Sequence, residues 1–308
     1  MTGRILDGKA IGARLRTGLG ERVAGLSFRP GLRVVRVGDD PASVVYVRSK
    51  DRAANEAGFD SETILLPESV PESELLATVR RLNADPAVDG ILVQLPLPKH
   101  IDPQKVLEAV DPAKDVDGFH PVNAGRLAAG LPGLVPCTPK GVMHLLAEAG
   151  VKLSGARAVV LGRSAIVGRP MAALLLAADA TVTMLHSRSR DIADECRRAE
   201  VLVAAVGRAG IVHGDWIAPG AVVVDVGINR TAEGKLTGDV EFEAARERAG
   251  WITPVPGGVG PMTIACLLEN TLEAALARRG RAELEPNGGV AEAHATPEQS
   301  YGHGPGLA

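Results

Sequence analysis

Tyr46 and Lys50 stand four residues apart in a stretch that reads as helix, so a phenol and an amine share one face about one turn apart. Such a pair suits ring stacking beside a group that can hold water or move a proton. Taken alone, it reads more readily as a core aromatic next to an exposed lysine. Gln94 closes an apolar run, Ile91 to Leu95, that meets Pro96-Leu97-Pro98. Proline lacks the N–H and fixes φ, which stops regular pairing and leaves Gln94 near the carboxyl end of a strand, where α/β sheets open their ligand crevices. Lys114-Asp115-Val116-Asp117-Gly118-Phe119-His120-Pro121 sets two carboxylates before a glycine, a pattern of turns or of metal ligand pairs. No third acidic ligand or paired histidine stands at a recognisable spacing, so a metal is not expected and His120 reads as a loop or packing residue.

A second chemical signal is Gly162-Arg163-Ser164-Ala165-Ile166-Val167-Gly168, placed after a strand and before a helix, where backbone N–H groups and the helix dipole favour a phosphate. It reads GxSxxxG, not the GxGxxG fingerprint, and a glycine-bearing turn of this kind can be merely structural. The end of the next strand, about 25 residues on, is where NAD enzymes often place an acid on the ribose 2′-hydroxyl. Here stands His186-Ser187-Arg188-Ser189-Arg190. With no carboxylate to repel a 2′-phosphate, and with Arg163 and Ser187 able to donate to one, NADP is favoured over NAD. Arg188 and Arg190 read as solvated loop charges. Val206-Gly207-Arg208 and Asp225-Val226-Gly227-Ile228-Asn229 also follow strands, so their backbones can border the cofactor's ribose and nicotinamide, or their glycines can serve tight turns.

The elements that position these residues alternate β-branched runs with amphipathic stretches, the pattern of an α/β protein with parallel strands. Strands are expected at Leu32 to Val37, Glu62 to Leu66 and Ile91 to Leu95, with helices at Ala42 to Ala57 and Glu72 to Asn83. A helix from Cys137 to Gly150, capped by Thr138 with Pro139 in its first turn, marks the boundary. Further strands follow at Ala156 to Leu161, Thr181 to Leu185, Val201 to Ala205 and Ala221 to Val226. After the loop Pro254 to Gly260, Pro261 opens a helix to about Ala277 that returns to the first unit. The expected division is residues 1–140 plus 261–280 for substrate, 141–260 as a Rossmann-like cofactor unit with a cleft between them, and a disordered tail over 281–308.

A chain of 308 residues, 45% hydrophobic, is long enough for two cores. Its net charge of -3 provides no basic field for nucleic acid or an anionic membrane. Cys137, Cys196 and Cys266 form no CxxC pair, which suits a reducing compartment, and no apolar signal core opens the chain, so a cytosolic protein is expected.

Together, Tyr46 to Lys50, Val93 to Pro98, Lys114 to Pro121, Gly162 to Pro170 and Pro254 to Thr263 closely resemble, in this order, the methylenetetrahydrofolate dehydrogenase/cyclohydrolase family, over about residues 4 to 277. The resemblance implies NADP-linked oxidation of 5,10-methylenetetrahydrofolate to the methenyl cation, then hydrolysis to 10-formyltetrahydrofolate, within one-carbon metabolism that feeds purine biosynthesis. It implies Lys50 as the group needed for hydrolysis, positioned by Gln94, with Tyr46 stacked on the p-aminobenzoyl ring. It further implies Asp117 on the pterin's N–H donors and substrate contacts at Pro256 and Gly257. On the cofactor side it implies Thr138, Gly162, Arg163, Ser164, Ser187, Gly207 and Ile228, and it implies a homodimer. A dehydrogenase without hydrolytic activity and a silent NADP-binding regulatory module remain as rival readings. The joint presence of Tyr46, Lys50 and Gln94 counts against the first.

Overall fold

The computed structural model describes residues 2–279. The tail expected over 281–308 lies outside the described residues. The chain opens with a two-residue strand, β1 (Arg4–Ile5), and helix α1 (Gly8–Ala24). A parallel three-stranded sheet follows: β2 (Gly31–Val37) lies between β3 (Asp60–Leu66) and β4 (Gly90–Val93), with α2 (Pro41–Glu56) and α3 (Glu72–Ala84) as crossovers. Leu32, Val34, Val35, Leu92 and Val93 are buried, as a sheet covered on both faces requires. The Asp40 carboxylate starts α2 by accepting from Ser43 N at 2.8 Å, which fixes the rotation that presents Tyr46 and Lys50.

Helices α4 (Pro103–Ala109), α5 (Pro121–Ala128) and α6 (Cys137–Glu148) lead into the second unit. There β5 (Arg157–Leu161), α7 (Gly168–Ala177), β6 (Thr181–Leu185), α8 (Ile192–Arg197), β7 (Val201–Ala204) and β8 (Val222–Asp225) alternate, and β7 connects to β8 through a short 3₁₀ turn, Gly214–Trp216. A hairpin of β9 (Asn229–Arg230) and β10 (Leu236–Thr237), then α9 (Phe242–Arg246) and β11 (Trp251–Ile252), complete it. The six strands order as β1-β11-β8-β7-β5-β6, every pairing parallel.

Three features depart from the sequence reading. Strand β1 sits on the edge of the six-stranded sheet, beside β11, although it begins the first unit. Helix α1 was not anticipated because glycines at positions 8, 12, 18 and 20 dilute its pattern. Gly8 has a packing reason: a Cβ there would stand 1.7 Å from the Gly258 carbonyl oxygen. Finally, α6 starts after Pro136, so Thr138 lies inside the first turn and does not cap it. Its hydroxyl instead meets that of Thr263 at 3.2 Å.

The last helix, α10 (Val259–Arg279), is apolar on nearly every face and is buried accordingly. Val259 and Met262 belong to the core under the six-stranded sheet with Val142, Leu145 and Leu146, whereas Cys266, Leu267, Leu268 and Leu272 belong to the core under the smaller sheet with Leu32 and Val34. Its far end is anchored by Asp89, fully buried, which accepts from Arg278 Nη1 and Arg279 Nη2 at 2.7 Å each and from Gly31 N at 2.9 Å. Removing one member of a buried, hydrogen-bonded pair strands the other, so Asp89→Ala is expected to cost about 3–5 kcal/mol. Urea unfolding reads this as a lowered midpoint at unchanged slope; a loss below about 1 kcal/mol would assign the pair the small value of an exposed bridge.

Candidate active site

Helix α2 and the end of β4 bring Lys50 and Gln94 together. Lys50, only 7% exposed, donates from Nζ to Gln94 Oε1 at 3.0 Å, and Gln94 Nε2 donates to the Leu95 carbonyl at 2.7 Å. The second bond fixes the amide so that its oxygen must face the lysine. Gln94 N also donates to Val35 O at 2.8 Å, so the residue continues the ladder one step beyond β4. One Nζ hydrogen is thereby committed and the others remain for a ligand or water. Tyr46, one turn earlier, is 39% exposed, and its hydroxyl lies 3.9 Å from where a Cβ on Gly260 would stand, beside the start of α10.

The loop carrying Asp117 is held from both ends. Buried Lys114 donates to the carbonyls of Leu82, Asn83 and Asp85 at 3.1, 2.7 and 2.8 Å, completing the end of α3. Asp115 accepts from His120 N at 2.8 Å and Asn123 Nδ2 at 2.9 Å, a structural task. His120 caps α5, its Nδ1 accepting from Val122 N at 3.1 Å, in keeping with a packing role. Asp117 itself keeps some solvent contact although protein surrounds it on most sides. Burial pushes its carboxyl up to about 6; the positive charge of Lys50 opposes this, the like charge of Asp115 adds to it, and the neighbouring Cys137 thiol opposes it.

Sequence reading missed Cys137, counted there only as evidence about redox environment. Burial, then the charge of Asp117, hold its thiol well above the usual range, so it stays a donor, reaching the Val116 carbonyl at 3.2 Å. Its place as the first residue of α6, directly after Pro136, was the available signal.

The residues expected at the cofactor form a separate row along the carboxyl ends of β5 to β8. Arg163 and Ser164 follow β5, Ser187 follows β6, Gly207 follows β7 and Ile228 follows β8, and all five are exposed. Gly162 has φ 125°, and a Cβ on it would lie 2.2 Å from the Ala205 carbonyl oxygen, so only glycine fits where this turn crosses β7. The Ser164 hydroxyl accepts from Val167 N and Gly168 N at 3.2 Å each and so starts α7 itself. After β6 the turn is closed by Ser189 Oγ on His186 N at 3.0 Å, with Arg188 and Arg190 exposed. Pro256 is exposed and Gly257 half-buried in the loop before α10. A glycine turn at a helix start, an exposed arginine and serine, and no acid at the end of β6 fit a dinucleotide bearing a 2′-phosphate.

Two family descriptions match in sequence order: the tetrahydrofolate dehydrogenase/cyclohydrolase catalytic domain over residues 6–117 and the NAD(P)-binding domain of the same family over 136–279. The chain belongs to the tetrahydrofolate dehydrogenase/cyclohydrolase family. It is 70% identical over 279 residues, 91% of this chain and 100% of the relative, to the bifunctional protein FolD of Acidiphilium cryptum (strain JF-5). Among solved structures it resembles the bifunctional FolD enzyme of Campylobacter jejuni, methylenetetrahydrofolate dehydrogenase/cyclohydrolase, with TM-score 0.87 at 48% identity, covering 89% of this chain and 99% of that one. It also resembles the Trypanosoma brucei enzyme complexed with NADP cofactor and inhibitor, with TM-score 0.86 at 43% identity, covering 92% and 100%. The family's NAD(P)-binding region runs through α10, whereas α10 packs into both cores.

Within this family's cofactor domain, Gly162→Ala is expected to force the β5 turn off β7. NADP titration followed by fluorescence should show roughly tenfold weaker binding or worse, with a lowered melting temperature. Unchanged binding would mean that the turn tolerates a side chain by moving.

Proposed function

We propose that this chain oxidises 5,10-methylenetetrahydrofolate to the methenyl cation with NADP and hydrolyses that cation to 10-formyltetrahydrofolate in one cleft. The carrying observation is the Lys50 Nζ to Gln94 Oε1 bond at 3.0 Å with the Asp117 carboxyl close enough to feel the lysine's charge, in a chain of this family. The folate side comprises Tyr46, Lys50, Gln94, Asp117, Pro256 and Gly257. The cofactor side comprises Thr138, Gly162, Arg163, Ser164, Ser187, Gly207 and Ile228. Residues 1–140 with 261–280 serve as the folate unit and 141–260 as the cofactor unit.

Bound NADP supplies the hydride acceptor. The protein's share of that step is orientation: Tyr46 stacks on the p-aminobenzoyl ring and the ionised Asp117 accepts from the pterin's amino group and ring N–H, which sets the bridging carbon in place. Arg163 and Ser187 hold the 2′-phosphate. In hydrolysis, water adds its oxygen to the methenyl carbon and gives up one proton to the medium; the adduct's hydroxyl then loses its remaining proton to become the formyl carbonyl as the bond from that carbon to N5 breaks and N5 takes a proton. Lys50, aimed by Gln94, orients the water and stabilises the charge growing on its oxygen. The product's formyl group suits purine biosynthesis, and we read the protein as a cytoplasmic homodimer. Among the described residues no helix is long and apolar enough to cross a membrane.

The deciding experiment follows both reactions spectrophotometrically on the purified chain, adding methenyltetrahydrofolate alone for the second. Oxidation without accelerated hydrolysis would select a dehydrogenase only. Lys50→Met is expected to slow hydrolysis roughly 100-fold or more while the Michaelis constant changes little; an unchanged rate removes Lys50 from the chemistry.

The pH profile tests Asp117. Its carboxyl, raised to about 6, is protonated below that value and loses acceptor capacity, so kcat/KM for hydrolysis should be flat above about 6 and fall toward acid with unit slope. Asp117→Asn should abolish that inflection along with most of the folate affinity. A wild-type profile flat down to pH 5 would return Asp117 to the loop.

A further inference from the structure

On the far side of the cofactor row lies a buried pair of carboxylates to which no role has been given. Asp239, 0% exposed, accepts from Val206 N at 2.7 Å and Gly207 N at 3.0 Å on Oδ2, and from Arg208 N at 2.8 Å and Asn229 Nδ2 at 2.9 Å on Oδ1. Three successive backbone N–H groups converging on one anion form a nest of the kind that elsewhere cradles phosphate; here the anion is part of the chain. Asp239 N in turn donates to Asp225 Oδ1 at 2.9 Å. Asp225, the last residue of β8, also accepts from Gly227 N on Oδ1 and Val240 N on Oδ2, each at 2.9 Å. The fit is close: a Cβ on Gly227 would lie 2.2 Å from Asp239 Oδ1.

One carboxylate thus fixes both loops that leave the middle of the sheet, 205–208 after β7 and 226–229 after β8, whose parent strands are neighbours with Ala204 opposite Asp225. In a trans peptide the carbonyl points opposite to the N–H. With the N–H groups of Gly207 and Arg208 turned inward to Asp239, the carbonyls of Val206 and Gly207 turn away from it, toward the exposed side of the loop, as acceptors for amide or hydroxyl hydrogens.

We infer that Asp239 is a positioning residue for the dehydrogenase reaction, holding the 205–208 and 226–229 loops in the one arrangement that seats the nicotinamide end of the cofactor. The inference rests on the cofactor placement proposed above. Being fully buried, Asp239 touches no ligand and acts through the loops.

The two activities of the full chain separate this role from a merely structural one, because hydrolysis uses no cofactor. In Asp239→Asn, which keeps the shape but turns an amide hydrogen toward a backbone N–H, kcat/KM for NADP is expected to fall roughly 10- to 100-fold. Methenyl hydrolysis and the Michaelis constant for methylenetetrahydrofolate should stay within about twofold of the unsubstituted chain. Parallel loss of both activities, or loss of neither, overturns the inference. Should Asp239→Asn not yield folded protein, Asn229→Ala removes one donor from the same carboxylate and is read identically, with a smaller selective loss expected and a parallel or absent loss overturning. Failure of the underlying functional reading shows separately, as an inactive unsubstituted chain.

Discussion

The loop that carries Asp117 is fixed by α10, which packs into one core beneath each sheet. Its Asn270 is fully buried and donates from Nδ2 to the carbonyls of Val116 and Val135, at 2.8 Å each, while its Oδ1 accepts from Lys140 Nζ at 2.9 Å. One amide therefore ties the last helix to the residue before Asp117, to the strand-like approach to α6, and to α6 itself. All of its hydrogen-bonding capacity on the acceptor-seeking side is used, so the loop bearing Asp117 has little freedom to drift.

Around this beam the molecule meets each buried charge by a different local means. Lys114 gives its hydrogens to three carbonyls at the end of α3, Asp89 takes two arginines from the end of α10, and Asp225 and Asp239 take backbone N–H groups from neighbouring loops. Burial still marks Asp225, whose carboxyl is raised to about 6 despite hydrogen bonds from Asp239, Val240 and Gly227 that pull the other way. Lys50 differs from these in having one side-chain oxygen as its hydrogen-bond partner at 3.0 Å, which is what a group reserved for a substrate looks like. Rigid surroundings with a single under-committed amine fit a site that orients its reactants more than it reacts with them.

Much of this was legible in the residues. Short β-branched runs such as Val201 to Ala205, and Leu32 to Val37 despite Arg33 and Arg36, read as parallel strands, and the proline block after Gln94 located that side chain correctly at a strand's end. What stayed hidden was set by tertiary contact. The glycines of α1 weaken its helical signal yet permit its approach to the loop before α10. Strand β1 is two residues long and has no pattern to detect, and Thr138 has the chemistry of a cap but is turned to Thr263 by helix packing. Asp225 drew notice only as part of a turn after a strand and Asp239 drew none, since a periodicity argument does not reveal which backbone groups a distant carboxylate will collect.

Because α10 presents one stretch to each core, the two halves of the chain are not interchangeable modules. A recombinant joined near residue 140 would inherit β5 to β8, β11 and α10 from one parent and the small sheet, with β1 and α1, from another, so Leu267, Leu268 and Leu272 would meet a core shaped by a foreign sequence. Val259 and Met262 would likewise meet a foreign Leu6, Ile11 and Leu15. Lineages that traded halves would therefore have to trade the inner face of this helix with them, which ties the drift of one half's interior to that of the other.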